Sequence, residues 1–204
     1  MISLIEQTLD IVNEMALTGN KKEDAHRIFN YIRNVIHWDL SKMKEDVSWI
    51  IEYLNDFDLR ELFYGASEEW REKIWNRLLR QGTNNIENLE WILRYDESDE
   101  WKERAWEQIL KQGISNHALS VLIFHVSDEW KEKAWEQLLK QNPSNEDLMF
   151  ILYHDYSRIM KERAWEQLLK QGMSDSDLRW IISRSVDEPY ITMARDMLKQ
   201  RSQE

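Results

Sequence analysis

The chain has 204 residues, enough for one ordinary domain or one short repeat array. Its 27 Lys and Arg stand against 38 Asp and Glu, a formal net charge of -11. That balance argues against a sequence-independent grip on phosphate backbones and against adhesion to an anionic bilayer, both of which need a basic face. There is no cysteine, which excludes disulfides and thiolate chemistry.

The first stretch, MISLIEQTLDIVNEMAL, carries Glu6 and Asp10 inside its apolar pattern and has no basic leader. Neither a secretory signal nor a membrane span is expected there, and a cytoplasmic protein is the expectation. Residues 4–18 and 23–37 read as two amphipathic helices, with Phe29, Ile32 and Ile36 on one face of the second. VSWIIEYL (47–54) and FDLRELFYG (57–65) read as a degenerate repeat, because Leu59 and Leu62 lie 30 residues before Leu89 and Ile92. Residues 1–66 are expected to cap the array that follows, since no linker rich in Pro, Gly or Ser separates them.

From Trp70 onward one phrase recurs: WREKIWNRLLRQG at Trp70, WKERAWEQILKQG at Trp101, WKEKAWEQLLKQN at Trp130 and MKERAWEQLLKQG at Met160. Trp70, Trp101, Trp130, Met160 and Tyr190 share a position, separated by 31, 29, 30 and 30 residues. Five residues on lie Trp75, Trp106, Trp135, Trp165 and then Arg195. A second block follows each phrase and aligns Leu89, Leu119, Leu148 and Leu178. A fixed period in this range is the signature of stacked repeats.

Both blocks read as helices. At 100° per residue, Trp101, Ala105, Ile109, Trp106 and Leu110 span roughly half of the first helix, with Glu103, Arg104, Glu107, Gln108 and Lys111 opposite. Such a wide arc predicts contacts on two sides, as a solenoid repeat requires. Glu107 and Lys111, repeated as Glu136/Lys140 and Glu166/Lys170, are i,i+4 pairs in the favourable order. Gly82, Gly113 and Gly172 follow the first helix where a left-handed residue is wanted, and Asn142-Pro143 substitutes in the third copy. Ser144 with Asp147 and Ser174 with Asp177 resemble capping boxes.

The final copy replaces Trp165 and Leu169 by Arg195 and Lys199 while keeping Ala194 and Leu198 apolar. The first pair is therefore expected to face the next repeat, and the change to cap the array. The tryptophans read as mortar, each burying about 150–250 Å², or about 4–6 kcal/mol gross. The expected fold is all-α: a right-handed α-solenoid of helix pairs with repeats at about 67–97, 98–126, 127–156 and 157–186 and a capping helix at 187–204.

Two helices per repeat and this period resemble the short HEAT-like repeats of bilin-lyase-type proteins and related ARM-like superhelices, over roughly residues 68–204. The tetratricopeptide pattern W-x2-L-G-x2-Y is absent, and W-x4-W replaces the Asp/Pro-rich turn and Ala-rich helix of the HEAT-like family. The two-tryptophan helix also resembles the half-TPR repeats of RNA-processing scaffolds, whose period is longer. The HEAT-like resemblance implies a concave surface lined by second helices.

The second helices vary at three places: Glu90/Ser120/Met149/Arg179, Arg94/Phe124/Tyr153/Ser183 and Tyr95/His125/His154/Arg184. Phe124, Met149 and Tyr153, flanked by Arg94, His125, His154 and Arg184, are the expected groove for a peptide or protein surface, since such interfaces use aromatic and Met anchors with a polar rim. The bland alternative for Phe124 and Tyr153 is burial against a neighbouring helix. His125 and His154 occupy equivalent positions but lack a third ligand at a defined spacing, so no metal site is expected. No Ser/His/Asp order, phosphate-binding loop or HExxH motif occurs, and no cofactor is expected. The sequence thus points to a non-enzymatic protein-binding scaffold. A nucleic-acid-binding helical repeat, and a cofactor-handling bilin-lyase-like or DNA-repair HEAT-like enzyme, are the alternatives.

Overall fold

The computed structural model describes residues 18–34, 48–80, 86–154, 157–184 and 187–203. The helix expected over 4–18, apart from Thr18, lies outside them, as do Ile36 and Gly82. The described residues form α-helices and one 3-10 turn, with no strand. In order these are α1 (Lys21–Asn34), the 3-10 turn (Ser48–Glu52), α2 (Asp56–Gly65), α3 (Glu68–Arg80) and α4 (Ile86–Tyr95). Then follow α5 (Asp99–Gln112), α6 (Asn116–His125), α7 (Asp128–Lys140) and α8 (Asn145–His154). The last three are α9 (Arg158–Gln171), α10 (Asp175–Ser183) and α11 (Glu188–Arg201). None of them is long and apolar enough to cross a membrane.

Helix ends follow local chemistry. Gly113 and Gly172 take φ of 77° and 82°, and Asn142 takes 52° at the equivalent place in the third copy. Asn tolerates the left-handed region better than other residues with a Cβ, which is why it can stand in for glycine here. Both expected capping boxes form. The Ser144 and Ser174 amides donate to Asp147 and Asp177 Oδ2 at 2.9 and 2.8 Å, and each Asp amide donates back to the serine Oγ at 3.2 Å. Ser115 and Asn55 cap α6 and α2 by accepting from Ala118 N and Asp58 N.

The chain divides into two compact units, Met1–Trp106 and Glu107–Glu204, with the boundary inside α5. In the first, α1 and α3 pack on the 3-10 turn, and α2 packs on both α3 and α4. Phe29, Ile32, Leu59, Leu62, Leu89 and Ile92 are all buried, and each pair lies 30 residues from the next. The leucine register therefore begins in α1, before the tryptophan phrase does. In the second unit α6 packs on α7, α8 on α9 and α10 on α11, while α6 also packs on α8. Its core is Leu119, Leu122, Leu148, Ile151, Leu178 and Ile181 from the second-block helices, with Ala134, Leu138, Ala164 and Leu168 from the first. Packing is mainly between sequence neighbours, the arrangement a helical repeat requires.

Tryptophans sit at the joints. Trp75 of α3 meets Trp101 of α5 with centroids 5.6 Å apart, and Trp165 of α9 meets Tyr190 of α11 at 5.5 Å. At both joints the second aromatic position of one copy touches the first position of the next. Ion pairs recur at equivalent repeat positions: Arg104 holds Glu72, and Arg163 holds Glu132. At the C-terminal end Arg195 and Lys199 are exposed, whereas Ala194 is fully buried.

One expectation is corrected. Leu169 is not buried by the next copy as Trp165 is; it is 46% exposed, and Leu110 and Leu139 are 37% and 36% exposed. The buried arc runs about 140°, from Met160 through Trp165, and Leu169 lies about 40° beyond its edge. The i,i+4 pair of Lys111 with Glu107 forms at 3.7 Å.

Candidate functional site

The exposed edge of the second-block helices carries a ladder of aromatic rings. In the second unit His117 at the start of α6 meets Phe150 of α8 edge-on at 5.3 Å, and Phe150 lies over His154 at 4.2 Å. Phe124 of α6 touches both His125 at 4.5 Å and His154 at 6.1 Å. Tyr153 meets His154 at 4.6 Å and Trp180 of α10 at 6.1 Å, and the Arg184 guanidinium stands 5.8 Å from the Trp180 ring. Offset and edge-to-face ring pairs of this kind contribute beyond their area alone, by about 0.5–1.5 kcal/mol each.

These contacts follow from helix geometry. Phe150 and His154 are four apart on α8 and lie one above the other on one face. Leu148, Ile151 and Leu152 turn the opposite face into the core. Of the residues expected from sequence, Phe124, His125, Tyr153, His154 and Arg184 thus fall on one connected ladder. Tyr153 is 41% exposed and Phe124 is half-buried. Met149 is only 5% exposed, so it lines the surface rather than projecting from it. Arg94 belongs to the first unit, where it pairs with Glu90 at 3.7 Å. Burial is the main influence on the Glu90 carboxyl and raises its pKa, with Arg94 opposing and Glu87 adding to the rise.

Between α6, α8 and α10 the ladder borders a groove of about 570 Å³. Met149, Phe150 and Trp180 form its apolar lining, His117 and His154 its sides, and Glu146, Asp147, Ser176 and Asp177 its polar lip. Asp147 and Asp177 reach the lip because they are the third residues of capped helices, where the Ser144 and Ser174 amides donate to Oδ2 and fix their rotamers. Asn145 adds a bond from Nδ2 to Asp177 Oδ2 at 2.9 Å and so ties the start of α8 to that of α10. Burial would raise the Asp177 pKa. Hydrogen bonds from the Ser174 backbone, Asn145 and the Ser174 side chain together outweigh it, and the carboxyl is held below its usual value. Glu146 is exposed and has no hydrogen-bond or ion-pair partner among the described residues.

His117, Phe150, Trp180 and the three carboxylates were not among the residues expected from sequence. The signal for two of them existed: Trp91, Val121, Phe150 and Trp180 form a fourth variable set, two residues after the aligned leucines. A second hollow of about 580 Å³ lies between α9 and the start of α11, where Arg158 pairs with Glu162 above Trp165 and Tyr190. Among the described residues no group of three His, Asp or Glu is placed to hold a metal ion. No protein-family model, curated protein or solved structure matches the chain.

Proposed function

We propose that the protein is a non-enzymatic interaction module: a HEAT-like, right-handed α-solenoid that binds a peptide or protein surface through the variable face of its second helices. One observation carries this reading. The groove between α6, α8 and α10 joins an apolar floor of Met149, Phe150 and Trp180 to a polar rim, which is how protein interfaces are built. The aromatic ladder of Phe124, Tyr153, His154 and Trp180 extends that surface beyond the groove.

The test is selection of peptides from a random display library on the purified full chain, followed by fluorescence-anisotropy titration of those recovered. The reading expects peptides with an apolar anchor whose binding falls at least about tenfold in Phe150→Ser and in Trp180→Ser. Both variants must keep the helical circular-dichroism spectrum of the parent chain. Peptides bound equally by the parent and both folded variants would move the binding surface elsewhere and end the proposal.

A further inference from the structure

We infer that the segment this groove accepts is cationic: a short extended peptide in which an arginine neighbours an apolar anchor. The inference rests on the reading of the groove as a peptide site and adds the chemistry of its occupant. Three carboxylates, Glu146, Asp147 and Asp177, line the groove, and no Lys or Arg does. An anionic or neutral-polar guest would meet this rim with repulsion or with unpaired acceptors, whereas a guanidinium would satisfy it.

The carboxylates are not consumed by the fold. Asp147 and Asp177 use Oδ2 in their caps, and their Oδ1 atoms take no hydrogen bond among the described residues. Glu146 has no partner at all among them. This differs from the first-block helices, where Glu72 and Glu132 are each engaged by an arginine one copy away. The second ingredient is aromatic. Phe150 and Trp180 border the same space as the acids, and a flat guanidinium can lie on a ring while its edge meets a carboxylate. The chain already shows this pairing elsewhere, with Arg104 4.1 Å from the Trp101 ring while bound to Glu72. Lysine offers a point charge that cannot use the ring and the carboxylate in one plane, so arginine is favoured over it.

The experiment uses the full chain and synthetic peptides of roughly ten residues in which a central Leu or Phe is flanked by Arg, Lys, Gln or Glu at matched positions. Affinities are measured by fluorescence anisotropy at low and high salt, with the parent chain, Glu146→Gln, Glu146→Lys and Phe150→Ser. Glu146 is exposed, so its substitutions leave the fold intact, which the thermal midpoint verifies. Arg-flanked peptides should bind about tenfold more tightly than their Gln counterparts. That advantage should shrink in Glu146→Gln, vanish in Glu146→Lys and weaken with salt. If Gln- and Arg-flanked peptides bind alike, and both are lost in Phe150→Ser, the inference falls while the groove reading stands. Tighter binding of Glu-flanked peptides by the parent chain overturns it too. If no peptide of any class loses affinity in Phe150→Ser, the groove reading itself falls, and this inference with it.

Discussion

Trp165 lies against Tyr190 at 5.5 Å between centroids, and this contact reproduces, about ninety residues on, the 5.6 Å contact of Trp75 with Trp101. The two pairs occupy the same positions in different copies, so Trp75 and Trp165 are joint residues. Trp165 is 5% exposed. Trp165→Ala should therefore cost about 3–5 kcal/mol in urea unfolding, from lost burial and the cavity left behind. Tyr190→Ala should be non-additive with it by about 1 kcal/mol in a double-mutant cycle.

A buried ion pair closes the turn between α4 and α5. The Asp96 carboxylate is fully covered, and its Oδ1 accepts from Arg71 Nη1 at 3.3 Å and from Ser98 N at 2.7 Å. Arg71 also donates to the Tyr64 carbonyl and stands 5.3 Å from the Phe63 ring. Removing one partner strands the other's charge, so Arg71→Met should destabilise by about 3–5 kcal/mol. The double variant Arg71→Met/Asp96→Ala should be less destabilised than Arg71→Met alone. Equal losses in the two would show that water already solvates Asp96.

Acid should loosen the protein through particular carboxylates. The Arg104 hydrogen bond, against a smaller opposing effect of burial, holds Glu72 below its usual pKa, and the cap and Asn145 do the same for Asp177. A carboxylate whose pKa is depressed on folding stabilises the folded state above its unfolded pKa, about pH 4. That contribution disappears as pH falls through the lower folded value. Thermal midpoints recorded from neutral pH down to about pH 3 should fall less steeply for Glu72→Gln and Asp177→Asn than for the parent chain.

Glycine at the helix ends answers a backbone need rather than a space need. A Cβ at Gly172 would meet nothing within 4 Å, yet its φ is 82°. Gly172→Ala should cost about 1 kcal/mol. Asn142→Gly, at φ 52°, should change stability by only a few tenths of a kcal/mol. A stability scan of the two substitutions separates the explanations.

The sequence made the helices legible because their signals are local and repeated. Tryptophan and leucine spacing, Ser-x-x-Asp caps and Gly at C′ each depend on residues within one or two turns. The tertiary edge of the buried arc was not legible: Leu169 is apolar and on the arc's flank, and only the neighbouring helix decides that coverage stops at Trp165. The same reason explains the site. Variation between copies singled out Phe124, Tyr153 and His154, which do touch neighbouring rings. Phe150 and Trp180 sit among leucines and isoleucines and look like core in one dimension, although they are only half-buried. Asp147 and Asp177 were recognisable as caps, but their second role at a groove lip needs the approach of α8 to α10.

In the ion pairs Arg104–Glu72 and Arg163–Glu132 the third residue of one copy's phrase accepts from the fourth residue of the next copy's phrase. Because the same chemical fitting appears between two different pairs of copies, it belongs to the phrase rather than to two private residues. Such a chain can lengthen or shorten by whole periods of about thirty residues without needing a new fitting at the seam. A duplicated segment that carries both positions therefore brings a matching seam with it. Diversity can then accumulate on the second helices, where each new ring must still meet a ring of the next copy.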